Sequence, residues 1–338
     1  MARAADTTGY TGRVNGPSAG ITSRASFWLA MVALMTAVLV QAQQGPPLQR
    51  APRTLRSSVE VTAVTVTVRD PDGRLVPDLP REAFQVFEDG EPQRITQFTH
   101  ERVPVGLGLL LDVSDSMFGQ RIRDARAVVE RFLLELLAPE DAFFLMAFNH
   151  EPRLLIPWTT PTPTPTPTPS EPGAVRTALD ALRPWGATAL YDAVVRALPL
   201  IEQRPRDRAA MVLISDGSDT ASDTTLHDLR AGLLRTDAFI YAVAIDSPVR
   251  QAINTRVNPE ALGEITNQTG GRTEVVHDVA DLAAATARIA EELNTQYVLG
   301  YSSPHPGDGK YHSIRVRVTA AGYRVRARNG YVAVPLKK

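Results

Sequence analysis

Residues 106–117 read Gly-Leu-Gly-Leu-Leu-Leu-Asp-Val-Ser-Asp-Ser-Met. From Leu107 to Leu111 the run is apolar, and turn residues bound it. That pattern suits a strand buried on both faces, as in a parallel sheet covered by helices. Oxygen-bearing side chains follow at alternate positions: Asp112, Ser114 and Ser116. They fall just past the carboxyl end of the strand, where open α/β sheets bind ligands. One carboxylate and two hydroxyls form a hard donor set, better suited to Mg²⁺ than to a soft metal.

The residues that follow alternate in period. Ile122, Ala125, Val129, Phe132, Leu133 and Leu136 repeat with helical spacing, and Pro139 stops the pattern. Residues 142–148 read as an apolar strand, with 153–158 as its partner. Helices are expected at 175–182, 190–201, 226–234, 259–269 and 280–293. Strands are expected at 209–214, 238–245 and 273–276, the first of them ending in Ser215-Asp216-Gly217. Strands alternating with helices predict a Rossmann-like α/β domain over 103–294, with a central, mostly parallel sheet flanked by helices.

Both flanks change to β character. Val59, Val61, Val64, Val66 and Val68 alternate, and Asp70-Pro71-Asp72-Gly73 is a turn. Residues 84–87 form a second strand. Asp89-Gly90 is a two-residue hairpin signal, with 94–98 as the expected return. Beyond Asn294, short strands are expected at 297–301, 313–318, 323–327 and 331–334. Neither section, 57–102 or 295–338, is large enough to bury a core alone. The two are therefore expected to build a small β-domain together. A Thr-Pro repeat within 159–170 can enter neither a helix nor a central strand. As polyproline II it would extend about 28 Å, and it reads as an insert tolerated in a surface loop.

Among the 338 residues, 43% are hydrophobic and 22% charged, the composition of a globular chain with a sizeable core. The formal net charge of −1 gives no electrostatic case for nucleic acid. The absence of cysteine excludes disulfides, thiolate zinc and a cysteine nucleophile. At the N-terminus, Arg13 and Arg24 precede an apolar stretch at 25–40 and a small-residue exit, Val40-Gln41-Ala42. This reads as a secretory signal peptide over 1–42, followed by a Pro- and Gln-rich linker at 43–56. The alternative is an uncleaved membrane anchor, the one route by which a membrane would be involved.

Three segments reach one edge of the expected sheet. They are Asp112-x-Ser114-x-Ser116, the helix-opening turn Gly186-Ala187-Thr188-Ala189, and Ser215-Asp216-Gly217. A hydroxyl-rich shell leaves a divalent ion undercompensated, while the aspartates can sit behind it and hold metal-bound waters. Such an ion favours a carboxylate donated by a partner. The three segments resemble the metal-ion-dependent adhesion site of von Willebrand factor type A domains. With Val86-Phe87-Glu88-Asp89-Gly90 and Tyr297-Val298-Leu299-Gly300-Tyr301, the chain is similar to a bacterial secreted subfamily of these proteins over about 55–334. The resemblance implies metal contact by Ser114, Ser116 and Thr188, with Asp112 and Asp216 acting largely through water. It also implies Mg²⁺, with Mn²⁺ as an alternative, and a protein partner that presents Asp or Glu. Ala187 and Asp115 depart from the family pattern, as does the Thr-Pro insert.

Other chemistries lack their residues. No Gly-rich phosphate loop or Gly-x-Ser-x-Gly elbow is present. The six histidines, at 100, 150, 227, 277, 305 and 312, show no metal-ligand spacing. No nucleotide or other small-molecule substrate is expected. Arg315, Arg317, Arg324, Arg326 and Arg328 alternate with apolar residues, which places them on one face of two strands. That face is either solvated or a docking surface for an acidic partner. The expected function is a secreted or envelope-associated binding protein rather than an enzyme. The alternatives are a metal-assisted hydrolase, which lacks a positioned base, and a structural envelope module with a degenerate metal site.

Overall fold

The computed structural model describes residues 61–161, 172–246 and 257–335. The expected signal peptide and linker, and nearly all of the Thr-Pro insert, lie outside the described residues. Among the described residues, no helix is long and apolar enough to cross a membrane.

The α/β part is built on a six-stranded sheet. Its strands are β5 (Val105–Asp112), β6 (Ala142–Phe148), β7 (Arg153–Thr159), β8 (Arg208–Ser215), β9 (Phe239–Ile245) and β10 (Thr273–Val276), in the order β10-β9-β8-β5-β6-β7. All pairings are parallel except β6 with β7. The strand order reverses at β5, which pairs with β6 on one side and β8 on the other. That reversal opens a crevice at the carboxyl ends, the usual ligand position in such sheets.

The apolar runs are buried because helices cover both faces. One face packs on α1 (Gln120–Arg131), α2 (Pro172–Ala181) and α6 (Val279–Asn294), with Leu107, Leu109, Leu111, Val212 and Tyr241 at its centre. The other packs on α3 (Leu190–Glu202), α4 (Leu226–Leu233) and α5 (Pro259–Thr269), around Leu110, Phe144, Met211 and Ile240. Gly108 points to this second face. A Cβ there would come within 2.5 Å of the Phe144 ring, so only glycine lets that ring lie across β5. The helical pattern expected to run on to Leu137 divides in two: α1 ends at Arg131, and a π-helical turn, Phe132–Leu136, completes it.

The flanking segments form two four-stranded sheets, and each sheet mixes strands from both ends of the chain. They use β1 (Val61–Arg69), β2 (Phe84–Glu88), β3 (Glu91–Gln93) and β4 (Ile95–Thr99) with β11 (Tyr297–Ser302), β12 (Tyr311–Val318), β13 (Arg324–Ala327) and β14 (Gly330–Val332). One sheet runs β13-β1-β11-β4 and the other β14-β12-β2-β3. Their shared core holds Val64, Val66, Phe84, Val86, Tyr297, Leu299 and Ile314. The Asp89-Gly90 hairpin forms as expected, with φ of 50° and 91° and Glu88 opposite Glu91. Its return differs: β3 is short, and residues 95–99 leave to pair with β11 in the other sheet. Pro92 lacks an N–H, which suits β3 to an edge, while Ile95 buries itself in the core beside β11.

The two parts are joined through Glu292 on α6, whose side chain is fully buried. Its carboxylate accepts from Arg69 on β1 at 2.9 Å, from the Tyr241 hydroxyl at 3.0 Å and from Arg326 on β13. Arg272 lies 3.3 Å away.

Candidate functional site

The last residue of β5 is Asp112. Its Oδ1 accepts the backbone N–H of Ser114 at 2.9 Å, a local turn that folds the chain back over the strand end. A 3₁₀ turn, Asp115–Met117, follows. The Ser114 side chain does not cap that turn. Instead its Oγ lies 3.1 Å from Ser116 Oγ, so the two hydroxyls face one another. The Ser215 hydroxyl, at the end of the neighbouring β8, donates to Asp112 Oδ2 at 2.6 Å.

The second segment is held against the first by backbone bonds. Trp185 N–H donates to Val113 O and Asp115 N–H to Gly186 O, both at 2.9 Å. Gly186 makes this approach at φ 79°, where a Cβ would meet His150 Nδ1 at 3.0 Å. Thr188 sits two residues on, buried, just before α3. Its N–H donates to Thr220 Oγ1 at 2.9 Å, and its carbonyl accepts from the N–H groups of Thr220 and Ala221. Asp219 Oδ1 accepts Leu190 N–H at 2.8 Å, so the loop after β8 supplies the negative charge at the start of α3.

The third residue, Asp216, follows β8 directly and is fully buried. Its Oδ2 accepts from Arg121 Nη1 at 2.8 Å, and the same nitrogen donates to Ser116 O at 3.1 Å. Arg121 therefore ties the Ser114–Ser116 turn to the loop after β8. It was not among the predicted site residues. Its signal was nonetheless present: 121, 125, 128 and 132 fall on one helical stripe with Ala125, Val128 and Phe132, an unusual place for an arginine.

Asp112, Ser114, Ser116, Thr188 and Asp216 are all buried, and hydrogen bonds connect the three segments that carry them. Burial pushes the Asp112 carboxyl up to about 7. The Ser215 hydroxyl and the Ser114 bonds oppose that rise, and the nearby Asp216 charge adds to it. A positive charge near Asp112 would favour its ionised form. The donor set fits a hard cation. Oxygens at adjacent corners of an Mg²⁺ octahedron, with bonds of 2.0–2.1 Å, lie about 3 Å apart, and Ser114 Oγ and Ser116 Oγ are separated by 3.1 Å.

Other expectations resolve differently. Asp115 is exposed, whereas the five predicted donors are buried. His150 packs edge-on against Trp185, ring centres 4.7 Å apart, and supports the Thr188 loop. The arginines of 315–328 are not on a single sheet: β12 and β13 belong to different sheets. Arg315, Arg317, Arg326 and Arg328 still line one groove of about 730 Å³. Arg326 is engaged by Glu292, and Arg328 donates to Leu234 O at 3.1 Å.

No curated protein sequence matches the chain. Among solved structures it is similar to the conserved hypothetical protein BatB of Bacteroides thetaiotaomicron, at 19% identity over 56% of this chain and 97% of that one, TM-score 0.44. It is also similar to a von Willebrand factor type A protein of Catenulispora acidiphila, at 12% identity over 82% and 75%, TM-score 0.48. A third is the vWF domain of the type V pili tip protein Mfa5 of Porphyromonas gingivalis, at 15% identity over 57% and 96%, TM-score 0.42. The sequence profile of the von Willebrand factor type A domain matches residues 107–218. The matched segment holds all five predicted site residues.

Proposed function

We propose that this protein is an exported binding protein that engages a carboxylate of a partner protein through Mg²⁺ held at the carboxyl end of β5. Ser114, Ser116 and Thr188 would offer hydroxyl oxygens to the ion. Asp112 and Asp216 would stand behind them, holding water and the serine turn. The ion supplies an electrophilic position for an Asp or Glu side chain. The observation that carries this reading is the Ser114–Ser116 hydroxyl pair, 3.1 Å apart at the strand-order reversal above Asp112.

Two further features support it. Phe118 and Trp185 are exposed large apolar residues on two of the three segments that form the site. Such groups contribute contact area in a protein interface. Export rests on the basic and apolar pattern of residues 1–42. The test is thermal unfolding of wild type and Thr188→Ala with Mg²⁺ or with chelator. Mg²⁺ at 100 times its dissociation constant should stabilise wild type by about 2.7 kcal/mol and the variant by much less. Equal melting of wild type with metal and with chelator would overturn the metal reading.

A further inference from the structure

A second group of metal-capable side chains lies in the flanking sheets, away from the β5 site. Glu88 ends β2 and Asp89 begins the hairpin turn, His312 lies on β12, and His305 lies in the loop between β11 and β12. One ligand-capable atom from each of the four lies within 4.8 Å of the others. His312 Nδ1 is 2.7 Å from Asp89 Oδ2 and 4.0 Å from Glu88 Oε1, and His305 Nδ1 is 3.1 Å from the same Glu88 oxygen. These separations bracket the edge of about 3.3 Å expected for a tetrahedral Zn²⁺ site with bonds near 2.0–2.1 Å.

We propose that Glu88, Asp89, His305 and His312 form a binding site for a transition-metal dication of the Zn²⁺ class. Three features beyond proximity carry this. First, the Glu88 side chain is fully buried, and among the described residues its ion pairs are with the two imidazoles. A buried carboxylate without Lys or Arg is a costly arrangement that a bound cation relieves. Second, Asp308 Oδ1 lies 3.0 Å from His312 Nε2 and turns Nδ1 toward the acid pair. A carboxylate holding the far nitrogen of an imidazole is the usual support for a metal-bound histidine. Third, the donors are pre-positioned. Ser303 Oγ donates to Glu88 Oε1 at 2.8 Å and accepts His305 N–H at 3.0 Å, and the two imidazoles are stacked 4.4 Å apart with 6° between planes.

Two imidazoles with two carboxylates select a borderline metal over Mg²⁺ or Ca²⁺, which take oxygen donors. His305 and Asp89 are each about two-fifths exposed, so the ion has an open approach. Bound there, it would clamp the β2–β3 hairpin to the β11–β12 loop, segments more than 200 residues apart in the chain.

The experiment is calorimetric titration of the purified chain with zinc chloride, using wild type, Asp112→Ala, His305→Ala and Asp308→Asn. Folding of each is checked by its unfolding transition. His305 is a partly exposed loop residue, so its removal spares the core. Wild type and Asp112→Ala should bind one Zn²⁺ at this site alike. Asp308→Asn should bind about 10–100-fold more weakly, and His305→Ala at least tenfold more weakly. Unaltered binding in folded His305→Ala, binding lost in Asp112→Ala, or no binding to wild type would each overturn the proposal.

Discussion

Replacing Asp112 with Asn tests the electrostatics of the β5 site directly. In the folded chain the Asp112 carboxyl is raised from 3.8 to about 7, chiefly by burial. A tenfold change in proton affinity corresponds to about 1.4 kcal/mol, so a rise of this size is worth roughly 4 kcal/mol. The folded pKa is the higher one. The folded state therefore holds this proton after the unfolded chain has lost it. The contribution is fully present below about pH 3.8 and is lost as pH rises through about 7. In chelator, wild type should lose roughly 4 kcal/mol from this group between pH 4 and 8. Asp112→Asn has no such proton, so the difference in stability between the two proteins should change by that amount over the same range. The Asn oxygen can still accept Ser114 N–H, while the bond from Ser215 to Oδ2 is altered at a cost of about 1–3 kcal/mol. The variant should therefore be the less stable protein at pH 4 and the more stable one at pH 8, when metal is absent. Mg²⁺ should then stabilise wild type at pH 8 by favouring the ionised carboxylate, and leave the variant nearly unchanged. Urea unfolding at several pH values, with chelator or Mg²⁺, measures both effects. Parallel pH curves for the two proteins in chelator would refute the assigned burial cost, and an undiminished Mg²⁺ response in the variant would remove Asp112 from the site.

Two other substitutions probe the scaffold that positions the site. Glu292→Gln removes the buried negative charge that faces Arg69, Arg272 and Arg326, and should cost about 3–5 kcal/mol by denaturant unfolding; a change below about 1 kcal/mol would show that this network does not hold the two parts together. Gly108→Ala places a methyl group 2.5 Å from the Phe144 ring and should cost about 1–3 kcal/mol, read as a lowered urea midpoint. A neutral result would mean that Phe144 and Met211 repack freely in the centre of the sheet.

Local chemistry made much of the protein readable in advance. The apolar run of β5, the helical stripes and the Asp89-Gly90 hairpin each depend on neighbours within a few residues. Side-chain period and turn geometry act at that range. The placement of the five candidate residues was legible for the same reason, since each stands at a strand end or a helix-opening turn. What the sequence left open depends on partners far along the chain. The departure of β4 to a second sheet depends on where Ile95 finds a core and where the edge lies. Arg121 stood out on its apolar helical stripe, but its reason for being buried, Asp216, is 95 residues away. The histidines showed no ligand spacing because His305 and His312 complete their cluster with Glu88 and Asp89, which the pairing of β2 with β12 brings across. Sequence by itself determined the elements and the residues at their ends. Only the tertiary structure decided which buried charges meet, because a buried charge is stabilised by whatever opposite group the packing places beside it, however distant in the chain.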